Sequence, residues 1–372
     1  MLHWSRSLCV LIVGLWSAAI LVGPARGADP KDARSERLKE IIGEYEKKAQ
    51  AFVSAFEKAK TDADRAQIEK KMRPSDAECG GKLVAFAKDV PGDKAAFDAL
   101  VYVFENLDAP DAAAVRDEAV ALFEKHQLKS PRLKIAIPRL AGCNSAKAEA
   151  LLEKLGDKGE TPDIRGLALF RLAQGRYERS AGKDEKHMAQ IESLLARVQK
   201  DYGDVQPDDE DQPLAKLTAG ALFEIRHLRP GKQLPEISGT DVAGKPLKLS
   251  SYRGKVVLLV FWGSWCGPCM AKVPFERRLM EKFAGRPFTV VGVNCGDQKK
   301  KAAAVIKEQK MNWPSFFDGE DGPIVTEWSI NSFPTVFLVD SEGVILHRDP
   351  PDEFELEATI EKAVQALAPA KK

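Results

Sequence analysis

An all-α helical array followed by an α/β domain with a central mixed sheet is the fold this sequence predicts, on three observations. Over residues 28–229 the chain is rich in Ala, Leu, Lys and Glu, and its apolar residues recur at helical spacing. At Pro230-Gly231 the composition changes to Val- and Phe-rich runs separated by turn signals, with helical patterns between them. The length of 372 residues also exceeds one ordinary domain of about 100 to 200 residues, so two folded units are expected.

In the first domain, Leu38, Ile41, Ile42, Tyr45, Phe52 and Phe56 follow a three-and-four rhythm, as do Phe97, Leu100, Val101, Phe104 and Leu107. Breaks are expected at Gly80-Gly81, Pro91-Gly92, Pro110, Pro131, Pro162 and Gly182. Ser130-Pro131 and Thr161-Pro162 each set a capping hydroxyl before a proline suited to the first helical position. The pattern predicts about eight or nine helices. Each hides its apolar stripe only against a neighbour, so stacked helical hairpins are natural. No residue-level repeat names a repeat family, which leaves solenoid and irregular bundle both open.

The second domain, residues 231–368, reads as strands at 255–262, 288–294, 335–339 and 344–348. Helical patterns fall at 270–283, 302–309 and 354–367. Asp340-Ser341-Glu342-Gly343 is a tight turn that joins the last two strands, and Asp241 to Gly244 reads as the turn of an extra hairpin at the entrance. Alternation of strand and helix that ends in a hairpin gives a mixed sheet covered by helices.

Residues 1–27 read as an export signal. Arg6 precedes an apolar stretch from Leu8 to Val22, and Ala25 and Gly27 stand at the −3 and −1 positions of a cleavage site. That stretch is shorter than the roughly 20 residues that span a bilayer, which favours cleavage over an uncleaved anchor. An exported, periplasmic or otherwise extracytoplasmic chain follows. Net charge is +1, and residues 231–372 carry 19 basic and 18 acidic side chains, so neither part has the basic excess of a nucleic-acid binder. Lys299-Lys300-Lys301 is read as a solvated helix start.

After loss of Cys9 with the signal, five cysteines remain, too few to staple a chain of this length. Cys79 and Cys143 fall in separate helices and are read as buried thiols, with a disulfide between them as the alternative. Cys295, at the end of a predicted strand, is either a small apolar filler or an extra thiol that exchanges with the pair described next.

Trp265-Cys266-Gly267-Pro268-Cys269 follows a buried strand and opens a helix. A cysteine at a helix N-terminus faces unpaired backbone N–H groups and the positive end of the helix dipole, which favour thiolate over thiol. Cys266 is therefore the candidate nucleophile. One helical turn returns Cys269 beside it as the candidate resolving thiol. A zinc site would need a second cysteine pair, and His126, His187, His227 and His347 have no ligand spacing. Gly254-Lys255 lacks the rest of a phosphate-binding loop, so no metal and no cofactor is expected.

Taken together, these residues resemble the thioredoxin superfamily, in particular exported thiol-disulfide oxidoreductases of the TlpA/ResA type. The resemblance rests on residues 261–269, on Pro274 within the active-site helix, and on Ser332-Phe333-Pro334-Thr335 as the cis-proline loop. Residues 251–255 and the added stretch 302–317 are also similar to this branch. The resemblance implies a thioredoxin-like fold, a cis Pro334 against the cysteines, and supporting roles for Trp265, Gly267, Pro268, Phe333 and Pro334. It further implies disulfides of exported proteins as substrates and a membrane electron donor.

Two departures stand out. Val260 occupies the place of the buried acid of thioredoxins proper, and Lys272 that of a glutamate common in the exported branch. Glu276 is the remaining guess for a base serving Cys269, and helical packing could equally leave it in solvent. A thiol peroxidase is disfavoured because Leu259 and Gly263 stand where peroxiredoxins resemble one another in carrying Pro and Thr or Ser. A third reading makes the helical array a binding module for an unknown partner, with the redox domain as its regulatory part.

Overall fold

The computed structural model describes residues 30–180, 185–320, 322–350 and 352–367. The proposed signal and the break at Gly182 lie outside the described residues. By contacts the chain divides into two compact units. One takes the residues up to Arg179 together with Asp204–Leu214, and the other takes Ser180–Gly203 and the residues from Ala215 on. This division is not the composition change at Pro230-Gly231, because the last two helices of the helical stretch pack with the sheet unit.

The first unit contains α1 (Pro30–Lys58), α2 (Asp62–Met72), α3 (Asp76–Asp89), α4 (Lys94–Asn106), α5 (Ala113–His126), α6 (Leu133–Gly142), α7 (Ala146–Lys158) and α8 (Pro162–Ser180). Helix α3 packs on α4 and α5, α4 on α6, and α5 on α7. Each hairpin thus lies on the one before it, which decides the open choice in favour of a solenoid-like stack. Side chains about 30 residues apart repeat the relation: Lys88 pairs with Glu118, Lys154 with Glu124, and Arg132 with Asp98.

Two details differ from the sequence expectation. Gly80-Gly81 does not break the chain but lies inside α3, because a Cβ on Gly80 would stand 2.4 Å from Val115 Cγ1; the glycine lets α3 approach α5 closely. Ser130 accepts from Arg132 N at 3.3 Å and closes a turn, so α6 starts at Leu133 rather than at Pro131. By contrast, α8 starts at Pro162, with Thr161 Oγ1 accepting from Ile164 N at 3.3 Å. Buried Asp76 ties three segments together, accepting from Tyr45 Oη at 2.7 Å and from Ala109 N at 3.0 Å.

The second unit holds α9 (Glu185–Tyr202) and α10 (Leu214–His227, all but its first residue), which raises the helices before the sheet to ten among the described residues. A hairpin of β1 (Ser238–Thr240) and β2 (Pro246–Lys248) follows, then β3 (Val256–Trp262), α11 (Gly267–Lys282), β4 (Phe288–Cys295) and α12 (Lys299–Glu308). The chain continues through β5 (Ser315–Gly319), α13 (Pro323–Glu327), β6 (Thr335–Val339), β7 (Ile345–Arg348) and α14 (Glu353–Ala366). The five-stranded sheet has the order β5-β4-β3-β6-β7, with β3 parallel to β4 and antiparallel to β6. Strand β5, which overlaps the end of the added stretch 302–317 and is not among the four strands expected from the sequence, pairs parallel with β4 at the sheet edge.

Strand β3 is buried along its whole length because helices cover both faces. Alternation sends Val256, Leu258, Val260 and Trp262 to one core with α11 and α14, and Val257, Leu259 and Phe261 to the other. The second core takes Phe223 of α10, Leu228, Trp328 and Ile330, which is why α10 belongs with the sheet. Among the described residues no helix is long and apolar enough to cross a membrane.

Candidate active site

Strand β3 is central, and its C-terminal end delivers the chain through Gly263-Ser264-Trp265 to the start of α11. Cys266 is the N-cap of α11, with extended backbone, and its Sγ accepts from Cys269 N at 3.1 Å. The two sulfurs are joined as a disulfide across a Cα–Cα separation of 5.2 Å. In this oxidised form Cys266 is 4% and Cys269 3% exposed, so burial does not distinguish them. The cap position does, since only Cys266 points at the free N–H groups of the first turn. Gly267 and Pro268 are exposed and occupy the first two helical positions, where a proline loses no hydrogen bond.

Trp265 is 52% exposed yet held in place. Its indole Nε1 donates to the carbonyl of Cys295 at 3.1 Å, and its ring meets Phe333 edge-on with centroids 5.1 Å apart. A Cβ on Gly263 or Gly296 would lie 2.5 or 2.9 Å from that indole nitrogen, and Gly296 also has φ of +67°. Both positions therefore need glycine for the ring to lie flat against the loop. The Phe333–Pro334 peptide is cis, as the resemblance implied, and Phe333 packs against the core cluster that holds both cysteines.

Sequence reasoning missed Asp297. Although it sits in a loop, it is 2% exposed and accepts from Ser264 N at 2.7 Å, from Ser264 Oγ, and from Asn294 Nδ2 at 2.8 Å. This carboxylate fastens the loop after β4 to the loop carrying Trp265 and Cys266. The only sequence signal was an acid two residues after Cys295, which nothing local marks as buried.

The structure brings Cys266, Cys269, Trp265 and Phe333 together but sets the Cys295 thiol apart. Cys295 packs in the core on the opposite face of the sheet, donates to the Val293 carbonyl at 3.3 Å, and is pushed upward in pKa by burial and then by Asp318. It fits the filler reading. Cys79 and Cys143 are free, buried thiols rather than a disulfide pair, raised to about 12 and about 11 by burial. Glu276 is turned inward at 5% exposure, and burial raises its carboxyl to about 7. The three lysines at 299–301 form the exposed first turn of α12, as read.

A redox-active pair capping the helix that follows the central strand of such a sheet places the second unit among the thioredoxin-fold disulfide exchangers. Comparison with known proteins narrows the class. The Redoxin family matches residues 229–367. The thiol-disulfide oxidoreductase ResA of Bacillus thuringiensis subsp. konkukian is 28% identical over 130 residues, 35% of this chain and 75% of that protein. ResA of Bacillus subtilis is 31% identical over 116 residues, 31% of this chain and 64% of that protein. Among solved structures, the thioredoxin domain of a thiol-disulfide oxidoreductase from Bacteroides vulgatus is 29% identical, covering 37% of this chain and 98% of that one, with a TM-score of 0.34. The C-terminal domain is of the TlpA/ResA type, and the activity it carries is that of a thiol-disulfide oxidoreductase.

Proposed function

We propose that the protein is exported and reduces or exchanges disulfides of extracytoplasmic proteins, with Cys266 as nucleophile and Cys269 as resolving thiol. The observation that carries this reading is the Cys266–Cys269 disulfide at the N-terminus of α11. A substrate disulfide is attacked by the Cys266 thiolate, a mixed disulfide forms, and Cys269 closes the intramolecular bond and releases the reduced substrate. Trp265, Gly267, Pro268, Phe333 and Pro334 shape the surface on which the substrate chain lies, and a membrane dithiol donor restores the reduced pair.

The direction is tested by equilibrating the protein against glutathione or dithiothreitol buffers. A potential near the roughly −270 mV of thioredoxin supports a reductant, and one approaching about −120 mV turns the reading to an oxidase. Export rests on residues 1–27 and predicts that protein recovered from the cell envelope begins at Ala28. A cytosolic product that still begins at Met1 removes export from the proposal. The stacked hairpins of the first unit support a second role, selection of the proteins on which the dithiol acts.

A further inference from the structure

Gly220 stands inside α10, where a glycine lowers helix stability relative to alanine, so its presence calls for a local reason. A Cβ on it would lie 2.6 Å from Ser329 Oγ and 2.9 Å from Ser329 Cβ. Rotation of the hydroxyl clears the first contact but not the second, because the Ser329 Cβ is fixed to the backbone. Ser329 for its part has φ of +52°, a conformation that residues with a Cβ adopt at a cost. Two unfavourable choices therefore meet at one contact, between α10 and the turn that ends α13.

Both sides of that contact are anchored. Three and four residues after Gly220, on the same helix face, Phe223 packs on the core of this sheet face and Glu224 pairs with Arg348 of β7 at 2.6 Å. Ser329 lies between Trp328 and Ile330, which are buried in the same core. Ser329 N donates to the Thr326 carbonyl at 3.2 Å, and Ile330 N to the Val325 carbonyl at 3.0 Å. Val325 and Phe333 also pack on that core. With Trp265, Gly296 and Thr326 they line a cleft of about 180 Å³. Neither sulfur of the dithiol lines it, but Trp265 is the residue before Cys266.

We propose that Gly220 and Ser329 are positioning residues: the close seat of α10 against the end of α13 sets the width of this cleft, which receives the stretch of substrate polypeptide beside the disulfide under attack. This rests on the assignment, made above, of Trp265 and Phe333 to the surface on which the substrate chain lies. The route from α10 to the cleft is short. A displacement of Ser329 carries Val325 and Thr326 with it through the two backbone hydrogen bonds, because a packed core passes strain on rather than absorbing it. Trp265 stays where its bond to the Cys295 carbonyl and the Asp297 clasp hold it. One wall of the cleft thus shifts against another. A polypeptide that lies along both walls feels the change, whereas a small disulfide that reaches only the cap of α11 does not depend on the cleft. Helix α10 therefore serves the dithiol although it precedes the composition change at Pro230-Gly231.

The test uses full-length protein, with insulin as the polypeptide disulfide, dithiothreitol as donor and a small aromatic disulfide as the second probe. Gly220→Ala, a change that ordinarily stabilises a helix, is expected to raise KM for insulin about fivefold or more, with much smaller changes in kcat and in the rate with the small disulfide. Ser329→Gly removes the atoms that the new Cβ meets and suits the positive φ, so Gly220→Ala/Ser329→Gly is expected to have a KM within about twofold of Ser329→Gly alone. Thr326→Phe leaves α10 untouched, fills the cleft directly and is expected to raise the insulin KM in the same way. An insulin KM unchanged in Gly220→Ala or in Thr326→Phe, a raised KM that Ser329→Gly fails to relieve, or an equal loss with the small disulfide would each overturn the positioning role. Inability of the wild type to reduce insulin while it reduces the small disulfide would instead remove the polypeptide-substrate reading, and the role of the cleft with it.

Discussion

Cys269→Ser is expected to accumulate a covalent adduct between Cys266 and its substrate protein, whereas Cys266→Ser should lose disulfide exchange on the order of a thousandfold or more. The asymmetry follows from position on α11. Cys266 Sγ sits at the cap, where Cys269 N already donates to it, and a thiolate there gains from the same backbone N–H groups and helix dipole. Cys269 is one turn inside the helix and has only its partner sulfur to attack. Non-reducing electrophoresis and intact mass on protein purified from its host read both outcomes. An adduct that forms through Cys269 in Cys266→Ser, and not through Cys266 in Cys269→Ser, would reverse the roles.

The second large effect is expected at a residue that never meets the substrate. Asp297→Ala removes the acceptor for Ser264 N, Ser264 Oγ and Asn294 Nδ2 at once, and so leaves donors unsatisfied in a site where Asp297 is 2% exposed. A loss of about 2 to 4 kcal/mol is expected, read as a lower denaturant midpoint for the sheet unit. Exchange should fall as well, by about tenfold, because the loop that presents Trp265 and Cys266 is no longer fastened to the loop after β4. Full stability with full exchange in Asp297→Ala would show that the Trp265 indole bond to the Cys295 carbonyl and the ring contact with Phe333 hold the loop unaided.

Much of this architecture was legible from periodicity. The four main strands of the sheet and the helices between them lie within a few residues of where alternation, turn residues and three-and-four spacing set them. Strand β5 was not legible, because an edge strand of five residues is defined by pairing with β4, including a register shift at Asn294/Cys295, rather than by a pattern of its own. Nor was the fate of Gly80-Gly81. A glycine pair reads as a break when the neighbour across the interface, Val115, is 35 positions away in the chain.

For the active site the division is similar. By itself the sequence determined which two cysteines carry the redox bond, since three-residue spacing at the start of a helix brings sulfurs together whatever surrounds them. It also determined that an α/β unit would present them at the end of a buried strand. Only the tertiary structure decided that Cys295 lies on the opposite face of the sheet, that Asp297 is a buried clasp, and that Glu276 is largely buried. Those facts depend on which side of a sheet a neighbour covers and on helix packing over long separations in the chain, and short-range spacing carries neither.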